Sequence, residues 1–159
     1  MIVSDDWAPL EHPGHYLSRI SRGLIRVGDA RLRRLGLATA QLPVLSMLRD
    51  GERLSQAELA RAARVEQPTM AQLLARMERD GLIRREPDPR DRRSSLVMLT
   101  DVALGRLPAG RRVLREGNAE MTRGLSSEEV ETLVDLLRRV LDNVESMQAD
   151  CVVGSGGDA

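Results

Sequence analysis

Apolar residues recur at helical spacing near both ends of the chain. The first series begins after Pro13, a residue suited to the first turn of a helix, and stops before Gly36. Its members are Leu17, Ile20, Leu24, Val27 and Leu35. The second series runs from Val130 to Met147 at a spacing of about 3.5 residues, which is typical of helices that pack on another helix. Both patterns predict amphipathic helices.

Local capping signals divide the middle of the chain into shorter helices. Ser55-Gln56-Ala57-Glu58 matches a capping box, in which a serine and a glutamate each satisfy a free backbone N–H. This box predicts a helix that reaches about Ala63. Pro68 is suited to the first turn of the next predicted helix, which ends at Asp80-Gly81.

Three further helix starts are marked by threonine or serine. Thr39 can cap a short helix that ends around Asp50-Gly51. Thr100 can cap a long helical region, which Pro108 should kink or break because proline lacks a backbone N–H. The segment Ser126–Glu129 repeats the capping box and predicts the start of the last helix.

The charged segment EPDPRDRRSS, from Glu86 to Ser95, lies between two runs typical of strands. Leu82–Arg85 precedes it and Leu96–Thr100 follows it. If these runs pair, the charged segment is the tip of a β-hairpin that carries several arginines away from the body. Two helices joined by a tight turn and followed by a basic hairpin form a winged helix-turn-helix. The predicted fold is therefore mainly α with a small β-hairpin.

Composition supports a helical core and a local basic surface. Phe is absent and the only aromatic residues are Trp7 and Tyr16, so the core must be aliphatic, which favours helices. The net charge is zero, but residues 53–93 hold ten Arg against seven acids, and residues 116–159 hold three Arg against ten acids. This distribution indicates an anion-binding surface in the middle of the chain and a separate module at its end.

Nothing in the sequence predicts export or membrane insertion. No stretch approaches the ~18 consecutive apolar residues that a membrane span needs. The single Cys151 excludes an internal disulfide and fits a reducing, cytoplasmic location. Residues 151–159 are predicted to form a flexible tail.

The helix after Pro68 has the side chains expected of a DNA-reading helix. Glutamine, arginine and threonine can hydrogen-bond base edges, and these residues lie opposite the apolar series Met70, Leu73, Leu74 and Met77. The predicted wing can place an arginine in a narrow minor groove, and we expect Asp91 to hold a nearby arginine in position. The predicted DNA-contacting set is Ser55, Gln67, Pro68, Thr69, Gln72, Arg76, Arg84, Arg90, Asp91, Arg92 and Arg93.

Several of these motifs resemble the MarR family of bacterial transcriptional regulators. The most specific is Asp88-Pro89-Arg90-Asp91-Arg92-Arg93 followed by Leu96–Thr100, which looks like the family's wing signature. Leu54–Ala60 and Leu73–Ile83 support the resemblance, which runs from about His15 to Met147. The proline and glycines between Asp101 and Gly117 depart from the family's straight connecting helix.

The resemblance implies a homodimer that binds a pseudo-palindromic operator in double-stranded DNA and releases it when a small effector, such as an aromatic or phenolic acid, arrives. Residues 1–37 and 101–150 would then form the dimerisation parts, and residues 38–100 the DNA-binding lobe. By the same resemblance, the effector would contact Tyr16, Arg19, Leu45 and Arg49. No cofactor is implied.

Other functions have weaker support in the residues. A winged-helix protein–protein adaptor would be expected to lose its wing arginines, whereas this chain keeps them. A redox-responsive regulator could use Cys151, but the oxidant-sensing members carry cysteine near the start of the first helix, where this chain has His15 and Tyr16. Glu11, His12 and His15 form only a weak candidate for a metal site, and none is predicted. An enzyme lacks a Ser/His/Asp set or a phosphate-binding loop.

Overall fold

The computed structural model describes the backbone of residues 9–154, and all of their side chains except those of residues 9, 92 and 150–154. The helices are α1 (Pro13–Leu32), α2 (Leu42–Met47), α3 (Gln56–Ala63), α4 (Gln67–Arg79), α5 (Asp101–Met121) and α6 (Ser127–Gly154), and the strands are β1 (Leu54–Ser55), β2 (Ile83–Asp88) and β3 (Asp91–Leu99). One compact unit reaches to Gly117, and a second begins at Asn118.

Both predicted capping boxes are present. At the start of α3, the backbone N–H of Ser55 donates to Glu58 Oε2 at 2.7 Å, and the backbone N–H of Glu58 donates to Ser55 Oγ at 3.3 Å. At the start of α6, Ser126 and Glu129 make the same two bonds at 2.7 and 3.2 Å. These reciprocal bonds satisfy N–H groups that a helix leaves free, which explains why local sequence predicts both helix starts.

The cap predicted at Thr39 is wrong. Thr39 lies inside the 3₁₀ turn Thr39–Gln41 that leads into α2, and its backbone N–H donates to Asp29 Oδ1 of α1 at 2.7 Å. The residue before this turn is Ala38, whose backbone N–H donates to Gln41 Oε1 at 2.9 Å. A glutamine from within the turn therefore supplies a capping oxygen that the preceding side chain lacks.

The predicted hairpin is the larger part of a three-stranded antiparallel sheet with the order β1-β3-β2. Strands β2 and β3 pair from Ile83 opposite Leu99 to Asp88 opposite Asp91, so Pro89 and Arg90 form the turn. The short strand β1 was not predicted. It pairs Leu54 with Val97, and so places the start of α3 at the base of the wing.

The core of the first unit is aliphatic, as predicted. Its fully buried side chains include Leu32, Leu48, Leu59, Met70, Leu74, Met77, Leu82 and Val97. They come from α1, α3, α4, the sheet and the residues directly after α2 and before β2, so burial of one shared apolar cluster fixes the helix-turn-helix against the wing.

Pro108 does not break the long helix, since α5 is continuous from Asp101 to Met121. Thr100 caps it as predicted, with its Oγ1 accepting from the backbone N–H of Ala103 at 3.3 Å. The buried Ala103 lies before the proline and the buried Gly110 after it. Packing on both sides of Pro108 therefore offsets the missing N–H, a contribution that local sequence does not show.

The second unit is dominated by α6. Its apolar series is exposed within this chain, at 37% for Leu133 and 55% for Leu141, for example. The helix reaches Gly154, so it includes residues 151–154 of the predicted tail, whereas residues 155–159 lie outside the described part. In the described part of the chain, no helix has the combined length and hydropathy that a membrane crossing requires.

Candidate functional site

Helix α4 separates a buried face from an exposed polar face. Met70, Leu74 and Met77 are fully buried against the core. Gln67, Pro68, Thr69, Gln72 and Arg76 are all exposed. The polar face thus presents amide, hydroxyl and guanidinium groups, which suit hydrogen bonding to base edges.

The turn between α3 and α4 holds Arg64 in the left-handed region, with φ of 53°. The first residues of the two helices are in contact: Gln56 Nε2 donates to Gln67 Oε1 at 3.3 Å. Gln56 was not among the predicted site residues. No local motif marks this contact, since it depends on how α3 packs on α4.

The wing tip carries an arginine held by a buried carboxylate. Arg90 Nε donates to Asp88 Oδ1 at 3.2 Å, and Arg90 Nη2 donates to Asp88 Oδ2 at 3.3 Å. The backbone N–H of Arg90 adds a bond of 2.9 Å to Asp88 Oδ1. The Asp88 side chain is 8% exposed and that of Arg90 is 73% exposed. The pair therefore directs a fixed cation outward from the turn.

Electrostatics keep this pair ionised. The side-chain and backbone hydrogen bonds from Arg90 lower the pKa of Asp88, and the bonds to Asp88 raise the pKa of Arg90. Because the pKa of Asp88 is lowered on folding, its carboxylate contributes stability above the usual aspartate pKa, and this contribution is lost as the pH falls through the lowered value. The wing arginine is thus held in place at neutral pH.

Within the described residues Asp88 holds Arg90, whereas the orienting role had been predicted for Asp91. Asp91 is exposed, and its Oδ1 accepts from the backbone N–H of Arg93 at 2.9 Å, which fixes the chain after the turn. The Arg93 side chain is exposed, and that of Arg92 lies outside the described residues. Either aspartate can accept from an N–H two residues on, so spacing alone did not distinguish them.

Further ion pairs connect the wing to its surroundings. Glu86 of β2 accepts from Arg53 at 3.3 Å and also from Arg84, a predicted site residue. Glu78 of α4 accepts from Arg85 of β2 at 3.2 Å. The wing is therefore attached directly to the helix that carries the polar face. The N-cap residue of α3, Ser55, is half-buried and belongs to β1, where it pairs with Leu96 of the wing.

A separate pocket of about 480 Å³ opens between α2 and α5. Its lining is largely apolar with two arginines, and consists of Leu37, Leu42, Pro43, Leu45, Ser46, Arg49, Leu107, Gly110, Arg111 and Leu114. Of the four residues predicted to contact an effector, Leu45 and Arg49 line this pocket, whereas Tyr16 and Arg19 do not. Arg111 was missed because its position depends on α5 continuing past Pro108.

The close approach of α5 to the preceding segments shapes this pocket. Arg106 Nη1 donates to the carbonyl oxygen of Gly36 at 3.3 Å. Gly36 has φ of +64°, and a Cβ placed there would lie 2.7 Å from the Arg106 guanidinium. A Cβ on Gly110 would lie 3.2 Å from Leu37. The left-handed φ favours glycine at Gly36, and the missing side chain of Gly110 lets Leu37 pack closely on α5 beside the pocket.

The helix pair, the exposed face of α4 and the arginine-bearing hairpin define a winged helix-turn-helix protein. Residues 35–94 match the sequence model of the MarR family. A crystal structure of a mutant MarR from E. coli complexed with operator DNA is 27% identical and superposes with a TM-score of 0.77, covering 86% of this chain and 99% of that one. The S. aureus MepR–DNA complex is 26% identical with a TM-score of 0.75, covering 83% and 98%.

These matches agree with the resemblance to the MarR family that the motifs indicated. A third structure, described as MarR, is 25% identical over 94% of this chain and 99% of that one, with a TM-score of 0.73. The chain is thus similar to MarR over 86–94% of its length.

Proposed function

We propose that this protein is a homodimeric repressor that binds a pseudo-palindromic operator in double-stranded DNA and releases it on binding a small aromatic or phenolic acid. The observation that carries the DNA-binding part is the exposed polar face of α4 beside a wing whose tip arginine is fixed by Asp88. Two of the similar structures are complexes with DNA, which supports DNA binding by this fold. Acting on genomic DNA, the protein would work in the bacterial cytoplasm.

Binding is divided between the two parts of this surface. The α4 side chains would lie in the major groove, where each base pair presents a distinct pattern of donors and acceptors. Arg90 would enter the adjacent minor groove, where the negative potential is strongest when the groove is narrow. Arg84, Arg92 and Arg93 would contribute positive charge toward phosphates, together with Ser55 at the start of α3.

The dimer follows from apolar surface that a lone chain leaves exposed. On α6, Leu137, Leu141 and Val144 are 40–55% exposed and lie on one side of the helix. On α1, Ile20 and Leu24 are also exposed. A second copy would cover these surfaces by two-fold symmetry, and the same symmetry would match a pseudo-palindromic operator.

Selection of DNA from a random library by the purified protein tests the DNA-binding part. We expect enrichment of sequences with two inverted half-sites separated by about one helical turn. Recovery of sequences with no shared half-site would overturn operator binding and favour the protein–protein adaptor.

The pocket between α2 and α5 is the proposed effector site. Its apolar walls would enclose an aromatic ring, and Arg49 and Arg111 could hold a carboxylate. Arg49 also contacts Asp50 at 3.0 Å, whereas no carboxylate within the described residues pairs with Arg111. Arg111 is therefore the cation that is more available to an acidic ligand.

Titration with 2-hydroxybenzoate, followed by thermal unfolding, should raise the melting temperature of the unmodified protein. Arg111→Ala should lower the affinity for 2-hydroxybenzoate by about tenfold or more, because the carboxylate of the ligand loses a charged hydrogen-bond donor. The neighbouring Arg112 is exposed and does not line the pocket, so Arg112→Ala is the matched control. An unchanged response in Arg111→Ala would place any effector elsewhere.

A further inference from the structure

The contact between the first residues of α3 and α4 fixes the direction of one side chain on the DNA-facing surface. Gln56 Nε2 donates to Gln67 Oε1 at 3.3 Å. Gln56 is half-buried at the start of α3, and Gln67 is exposed on the polar face of α4. A glutamine amide has one donor end and one acceptor end. Because Gln56 holds the acceptor end of Gln67, the NH₂ group is the end of this side chain left for another partner.

We infer that Gln56 is a positioning residue for base recognition, and that it makes Gln67 a hydrogen-bond donor toward the major groove. This inference rests on the proposed binding of operator DNA. A donor at this position favours a base with major-groove acceptors, and guanine presents two of them, O6 and N7. A freely rotating glutamine could also present its oxygen and accept from adenine or cytosine. The Gln56 contact therefore selects among the possible roles of Gln67.

Gln56→Glu should reverse the orientation of the Gln67 amide. A carboxylate at position 56 only accepts hydrogen bonds, so it should bind the NH₂ group of Gln67 and turn the Gln67 oxygen toward the groove. That oxygen accepts from the N4 amino group of cytosine or the N6 amino group of adenine. Because residue 56 is the first of α3, a glutamate there also suits the positive end of the helix, so the variant should fold.

Two other variants separate base recognition from charge and from packing. Ala57→Glu adds the same negative charge one residue further along, at an exposed position. It should weaken binding to all operators alike without changing the preferred base. Gln56→Ala removes the partner, so Gln67 should rotate freely and accept several bases at the position that the unmodified protein restricts.

The experiment is DNA selection and sequencing with the unmodified protein and with each variant. We expect Gln56→Glu to change the ratio of guanine to cytosine or adenine binding by about tenfold at one symmetric position of the half-sites. This change should be absent when Gln67 is alanine. The inference would be overturned if Gln56→Glu lost affinity equally for all operators and kept the original order of base preference. It would also be overturned if Gln56→Ala left the base preference unchanged. Failure of the unmodified protein to select any operator would instead overturn the proposed function.

Discussion

Asp88→Asn should weaken operator binding on the order of tenfold, although it removes a negative charge from the proposed DNA-binding surface. Asparagine keeps the size of the side chain but loses the charged bidentate bond to Arg90. The arginine must then be ordered when DNA binds, and immobilising a long side chain opposes association in both protomers. Loss of the anchor should therefore outweigh the gain from reduced repulsion.

Two further variants are compared with Asp88→Asn: one removes the arginine itself, and the other is a control for the lost negative charge. Arg90→Ala removes the cation itself, so it should weaken binding and lower the salt dependence by about one unit of slope per protomer. Asp91→Asn removes the same charge as Asp88→Asn from the far side of the turn, where the side-chain oxygen can still accept from the Arg93 N–H. It should leave affinity unchanged or slightly higher.

Affinity measured across a series of salt concentrations distinguishes the outcomes. Tighter binding by Asp88→Asn on every DNA sequence would show that the carboxylate only repels phosphate. The wing would then act as a diffuse basic patch, with no role for the fixed direction of Arg90. Equal losses in Asp88→Asn and Asp91→Asn would show that the turn, and not the ion pair, is what both changes damage.

Sequence alone predicted the elements whose signals are local. Both capping boxes join residues three apart, so the bonds that start α3 and α6 can be read from neighbouring side chains. The polar face of α4 was equally predictable, because the spacing of Met70, Leu74 and Met77 defines which side is buried.

Features that depend on tertiary packing were missed or assigned incorrectly. Strand β1 exists only because Leu54 pairs with Val97, a residue distant in sequence. Pro108 remains inside α5 because buried residues on both sides of it hold the helix. The choice of Asp88 over Asp91 depends on which carboxylate is buried at the turn, which spacing does not reveal. Gln56 meets Gln67 only through the packing of two helices.

Leu141→Asp should dissociate the proposed dimer. Leu141 is 55% exposed in this chain and lies in the apolar series of α6. In a two-fold interface the substitution occurs twice, and each copy loses about 1.5–3 kcal/mol of leucine burial, to which the desolvation of a carboxylate is added. The dimer dissociation constant should therefore rise on the order of a thousandfold or more.

Ser146→Asp is the matched control for this prediction. Ser146 is exposed, lies on the opposite side of α6 at 100° per residue, and donates to the carbonyl oxygen of Asp142 at 3.0 Å. Ser146→Asp adds the same charge to the same helix, but on the side away from the apolar series, so it should leave the dimer intact. Sedimentation measurements on both variants, with far-UV circular dichroism to monitor folding, separate the effects. A folded Leu141→Asp protein that remains a tight dimer would exclude this face of α6 from the interface. A folded monomer should lose operator binding, because each protomer then binds its half-site independently.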